Sequence, residues 1–103
     1  MTHRPAFLVV QGVVTDREGF RAYSEALPPI YRKYGGHYLA VAPAPSIEVL
    51  EGEPEGRSLV IARFDSVEAA RTFWHSPEYG EAKRLREGKG NFHVMLVEGL
   101  PEA

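Results

Sequence analysis

The sequence predicts an α+β fold of element order β-α-β-β-α-β, with four antiparallel strands in one sheet and helices on one of its faces. Three observations predict it. Short runs of β-branched and aliphatic residues alternate with amphipathic stretches of helical period. Asp, Ser or Thr stands where each helix must begin. A glycine pair stands where the first helix must stop.

The elements follow in order. Phe7–Val14 (FLVVQGVV) is apolar on both faces and reads as a buried strand. Thr15 and Glu18 have capping-box spacing, so a helix is expected from there. Its apolar stripe is Phe20, Tyr23, Leu27, Ile30 and Tyr34. Pro28 and Pro29 interrupt it and predict a kink or brief break, because each removes a backbone donor. Gly35 and Gly36 supply the left-handed C-cap. His37–Ala42 reads as the second strand, and Pro43 and Pro45 bracket a linker. Ser46–Leu50 is expected to resume as an edge strand, before a turn-rich loop at Glu51–Gly56. Ser58–Phe64 is the third strand, and Asp65 or Ser66 caps a helix through His75. Ser76 caps another helix, with Pro77 at its favoured first position and Gly88 at its end. Asn91–Gly99 is the last strand, and the tail beyond it is expected to fray. This order is the ferredoxin-like arrangement.

Composition bounds the function. A length of 103 residues suits one domain, spanning 1–103 with a core of about 6–99. A net charge of −2 argues against a nucleic-acid surface. The densest basic stretch, Lys83, Arg84, Arg86 and Lys89, falls at a helix end, where cations complement the dipole; anion binding is the other reading. The absence of cysteine removes disulfides, thiolate catalysis and sulfur-ligated metals, and fits a cytoplasmic location. The uncharged runs near 6–15 and 35–47 are too short to span a membrane. No cofactor is expected.

The strands raise a physical conflict. Phe7, Val9 and Val13 alternate with Leu8, Val10 and Val14, and Leu59 and Ile61 with Val60, Ala62 and Phe64. Both faces are therefore apolar, although helices cover only one. A second copy of the same sheet is the simplest cover, so a homodimer joined through the sheets is expected.

The segments KYGGHYL (Lys33–Leu39), LEG (Leu50–Gly52), FDSVEAARTFWHSPEY (Phe64–Tyr79) and LVEG (Leu96–Gly99) together resemble the bacterial domain-of-unknown-function-1330 family. The resemblance covers roughly 7–99. It implies membership of the dimeric α/β-barrel superfamily, whose ferredoxin-like domains pair through their sheets. Relatives there include cofactor-free monooxygenases, muconolactone-isomerase-like enzymes and haem peroxidases, so the resemblance implies a fold and no particular reaction. Three positions depart from the family's usual pattern. His37 follows the glycines, Val41–Ala42–Pro43 replaces a glycine-rich stretch, and Arg63 stands where an acidic residue is usual.

Residues able to carry chemistry are few. His3, His37, His75 and His93 lack metal-site spacing, so no metal is expected. His3 lies in the terminus, His75 reads as a helix-end residue, and His93 groups with Asn91 and Met95 on the last strand. His37, at a strand entrance, is the best general acid/base candidate. Arg63 interrupts an apolar strand, and Gln11 interrupts its neighbour. Arg63 either pairs with Glu98 or Glu48 or faces a cavity and binds an anionic or carbonyl-bearing ligand. Tyr23, Tyr38, Trp74 and Tyr79 complete the candidate ligand set, since polar-tipped aromatics line small-molecule pockets as well as cores.

Two function classes remain. One is a small cofactor-independent enzyme or binder of an aromatic or carbonyl compound, with a site between sheet and helices. The other is a non-catalytic homodimeric module, structural or stress-related. An enclosed cavity on which Arg63, a histidine and a tyrosine hydroxyl converge would favour the first; a filled core with Arg63 in a closed ion pair would favour the second.

Overall fold

The β-branched runs pair into one sheet. The strands are β1 (Ala6–Val14), β2 (His37–Ala42), β3 (Ser58–Phe64) and β4 (Gly90–Glu98), all antiparallel in the order β2-β3-β1-β4. The computed structural model describes residues 3–102. β1 is central. It meets β3 from Ala6↔Phe64 to Gly12↔Ser58 and β4 from Ala6↔Glu98 to Val14↔Gly90. β2 forms an edge and carries a bulge between Tyr38 and Ala40.

Three helices lie on one sheet face: α1 (Arg17–Lys33), α2 (Val67–Trp74) and α3 (Pro77–Arg84). The core is where they meet the strands. Ala6 and Leu8 of β1 and Ala62 and Phe64 of β3 pack against Leu27 and Tyr31 of α1, Phe73 of α2 and Tyr79 of α3. Phe73 is the hub, with ring centroids 4.6 Å from Tyr31, 4.7 Å from Tyr79 and 5.2 Å from Phe64. Truncating it to alanine would cost about 3–5 kcal/mol by transfer and cavity terms together.

Caps and turns follow the sequence signals with some corrections. Asp16, not Thr15, caps α1: its Oδ1 accepts from the Gly19 amide at 2.9 Å. That hydrogen bond, with Lys89 beside it, holds the Asp16 carboxyl below its ordinary range. α1 runs unbroken through Pro28 and Pro29. The two lost donors would have served the carbonyls of Ser24 and Glu25, both exposed residues for which water substitutes. The helix stops in a Schellman motif, with Gly36 N–H to Tyr31 O at 2.8 Å, Gly35 N–H to Arg32 O at 3.2 Å and Gly35 at φ 78°. Gly36 also has a steric reason, since a Cβ there would lie 2.5 Å from Cε1 of the buried Phe64. Ser66 caps α2 and Ser76 caps α3, each through its hydroxyl.

Three further expectations fail. Ser46–Leu50 forms no strand; a 3-10 turn at Ala44–Ser46 leads into irregular chain. α3 ends at Arg84 rather than Gly88, because the chain tightens into turns at 85–88 with Gly88 at φ 72°. The tail does not fray as far as Glu102: its N–H donates to His3 O at 2.6 Å and its carbonyl accepts from His3 N–H at 3.3 Å.

The other sheet face carries no helix. Alternation puts Phe7, Val9, Leu59, Ile61, Met95 and Val97 on it. Val97 is 47% exposed and Met95 37%. No helix among the described residues is long and apolar enough to cross a membrane.

Candidate functional site

A cavity of about 500 Å³ opens between the helices and the covered face of the sheet. It exists because the chain puts modest side chains on its floor. Leu8, Val10 and Gly12 of β1 and Val60 of β3 leave room beneath α1, which presents Phe20, Tyr23, Leu27 and Tyr31. The inner end is closed by the buried rings of Phe73 and Tyr79, beside Trp74. The outer end is formed by Val13, Arg17 and the Pro43–Pro45 segment. The size suits a small organic ligand.

Gly12 shapes one wall. A Cβ there would lie 2.6 Å from Cδ1 of Phe92, so glycine lets that ring lie against the strand. Phe92 stacks on Phe20 at 5.5 Å with planes 20° apart. The Arg86 guanidinium sits 4.8 Å from the Phe92 centroid and 5.6 Å from that of Tyr23.

Polar groups within the cavity are mostly tyrosine hydroxyls. Those of Tyr23 and Tyr79 lie 3.0 Å apart and share a hydrogen bond. Burial, with the neighbouring Tyr79 behind it, pushes the Tyr23 hydroxyl well above its ordinary 10.0. Burial likewise raises Tyr31 and Tyr38. These hydroxyls stay protonated at neutral pH, so each can donate or accept a hydrogen bond and none is a phenolate base.

Of the ligand residues expected from sequence, Tyr23, Tyr38, Trp74 and Tyr79 line this one cavity. His37 and Arg63 do not join them. They are cross-strand partners on the open face, with the sheet between them and the cavity. Arg63 donates to Asp65 at 2.9 Å and to Glu102 at 2.7 Å, in place of the expected Glu98 or Glu48. Gln11 lies on the same face between Leu59 and His93. His75 is the C-cap of α2, as its sequence position suggests. Among the described residues, no group of three or more His, Asp or Glu is placed to hold a metal ion.

Sequence reasoning missed Phe20 and Phe92 as cavity lining, and Arg86 as the cation beside them. Phe20 reads as helix stripe and Phe92 as one apolar strand residue among several. Arg86 was visible only as part of the basic stretch from Lys83 to Lys89. In the structure those side chains part company. Lys83 lies over Trp74 at 4.6 Å, Lys89 pairs with Asp16 at 3.5 Å, and Arg86 turns to the cavity.

Comparison with known proteins bears on the fold. A protein of unknown function from Rhodopseudomonas palustris is similar in structure, with TM-score 0.76 and 18% identity over 95% of this chain and 84% of that one. A candidate antibiotic biosynthesis monooxygenase from Nitrosomonas europaea matches at TM-score 0.59 and 11% identity, covering 97% of this chain and 93% of its own. Another, from Caulobacter crescentus, matches at TM-score 0.61 and 12% identity, covering 95% and 92%. At such identities the likeness is one of fold. No curated protein matches the chain in sequence. Residues 5–100 match the domain of unknown function DUF1330, and the chain belongs to that family.

Proposed function

We propose that this protein is a single-domain homodimer that binds a small, flat aromatic or carbonyl-bearing compound between its sheet and helices. The observation that carries the reading is the aromatic cavity of about 500 Å³ with the Tyr23–Tyr79 hydroxyl pair at its inner end. An apolar enclosure with a few convergent polar groups is the usual form of a small-molecule site. Among the described residues its lining holds no carboxylate side chain and no imidazole, so these residues are suited to holding and orienting a ligand rather than to moving a proton. The apolar open face of the sheet supports the homodimer, because such a face is costly in water.

A non-catalytic module with no ligand is the second reading, and the closed ion pairs of Arg63 favour it. One experiment separates the two. Trp74 is the chain's single tryptophan and lines the cavity, so its fluorescence reports on the site. Naphthalene-2-carboxamide is a flat, neutral, carbonyl-bearing probe. The binder reading expects a saturable change in Trp74 emission with one site per chain by calorimetry, abolished by Val10→Phe in a folded variant. A linear response up to the solubility limit, or binding unchanged by Val10→Phe, would leave the second reading standing.

A further inference from the structure

We propose that the ligand is an aromatic anion, a carboxylate on a flat ring system, and that Arg86 is the residue that selects for its charge. The proposal rests on the cavity reading above and adds the charge of its occupant.

The cavity's charged lining is one-sided. Arg17 and Arg86 line it, and no acidic residue among the described residues does. The two are not equivalent. Arg17 is exposed at the outer end, whereas Arg86 is half-buried with its guanidinium against the rings of Phe92 and Tyr23. None of the ion pairs among the described residues includes Arg86. Arg63, on β3, behaves differently, since it is satisfied by Asp65 and Glu102. A guanidinium partly withdrawn from water gains most from a carboxylate, which accepts two of its N–H donors side by side.

Arg86 is also held in position. Its backbone N–H donates to Lys83 O at 3.2 Å, and its carbonyl accepts from Lys89 N–H at 3.0 Å. Lys89 O in turn accepts from the Thr15 and Asp16 amides at 2.8 and 3.2 Å, which fastens the turn to the start of α1. The backbone from which the guanidinium projects is therefore fixed, and the rings of Phe92 and Tyr23 flank the guanidinium itself. A flat ring seated among Tyr23, Trp74 and Phe92 would bring its carboxylate toward Arg86. The hydroxyls of Tyr23 and Tyr79 remain as neutral donors for a further oxygen on the ring.

The test compares naphthalene-2-carboxylate with naphthalene-2-carboxamide, which share shape and differ in charge. In the native protein the carboxylate is expected to bind at least about 10-fold tighter at low salt, in line with a charge-assisted pair. That advantage shrinks as salt is raised, while carboxamide binding stays nearly constant. Arg86→Met is expected to bring the ratio of the two affinities to about 1, and Arg86→Lys to keep part of it, because the charge survives and the fork does not. Circular dichroism confirms the fold of each variant, and the salt comparison in the native protein stands without them. Equal affinities in the native protein would overturn the proposal and leave the cavity reading intact. So would a salt-independent preference, or one that survives Arg86→Met. Binding of neither compound would remove both.

Discussion

The hydroxyls of Tyr23 and Tyr79 meet 3.0 Å apart, joining the middle of α1 to the start of α3 across an otherwise apolar interior. Each is the other's hydrogen-bond partner, and Tyr79 is only 2% exposed. Tyr23→Phe strands the Tyr79 hydroxyl in the core and should cost about 1–3 kcal/mol. The double Phe variant removes both polar ends and should cost less than the two single changes added together. Urea melts of the four proteins give the cycle; strict additivity would show that the two hydroxyls do not act as a pair.

The same burial predicts an alkaline limb in stability. Tyr23, Tyr31 and Tyr38 have hydroxyls raised above 10.0 in the folded protein. Above about pH 10 the unfolded chain loses these protons and the folded chain keeps them, so the unfolded state gains. The contribution is fully present below pH 10 and is lost above it, at up to about 1.4 kcal/mol per pH unit for each tyrosine held neutral. Tyr38 contributes less, because it is 36% exposed. Denaturant melts at pH 8–11 should show the decline, and Tyr23→Phe should make it shallower; an unchanged slope would count against the assignment.

An acid limb is expected from the opposite case. The Lys33 ammonium, then the local backbone amide and the Tyr34 hydroxyl, hold Glu78 down from 4.5 to about 2. Stability from this group is present above about pH 4.5 and is lost as pH falls toward 2, where the folded state must also take up the proton. Glu78→Gln should remove that part of the pH dependence. Melting temperatures between pH 2 and 7 would check it, and identical acid limbs in the two proteins would refute it.

Arg63 is expected to be a tether rather than a ligand contact. Its guanidinium joins Asp65 and Glu102, so it ties the C-terminal segment to β3. Both carboxylates are well exposed, at 70% and 49%. Removing their partner leaves them to water instead of orphaning them in the core. Arg63→Met should therefore lower the melting temperature slightly and less so in about 1 M salt. Binding of naphthalene-2-carboxamide should be unchanged. A collapse of the fold, or loss of binding in a folded variant, would return Arg63 to the site.

The sequence carried the element order well because caps and periods agree. Ser66, Ser76 and the Gly35–Gly36 pair each mark a boundary by a local mechanism, and the structure uses each of them so. Position along the chain did not settle what depends on three-dimensional packing. Thr15 and Asp16 are both able to cap, and only the approach of Lys89 and Gly19 to Asp16 distinguishes them. The proline pair reads as a kink or brief break, yet the carbonyls it frees belong to exposed residues, and the helix continues without a break. Arg86 sits in a turn, where no periodicity says which way a side chain points. Val9 and Val10 are chemically identical, so alternation grouped them without saying which group the helices cover.

The structure separates those two valines, and the separation gives the test of the homodimer. Val9 lies on the open face between Ile61 of β3 and Met95 of β4, while Val10 lines the cavity. In a symmetric pairing of open faces, one substitution places two charges in the interface, one from each copy. Val9→Glu should therefore raise the dimer dissociation constant at least about 100-fold, roughly 3 kcal/mol, while the monomer keeps its helices. Val10→Glu should act differently: its carboxylate would enter the cavity and not the sheet interface, so it should lower the stability of the monomer and leave the dimer dissociation constant nearly unchanged. Sedimentation equilibrium at micromolar concentration reads both. A native protein that sediments as a stable monomer, or a Val9→Glu variant that stays fully dimeric, would mean that something other than a second sheet covers this face.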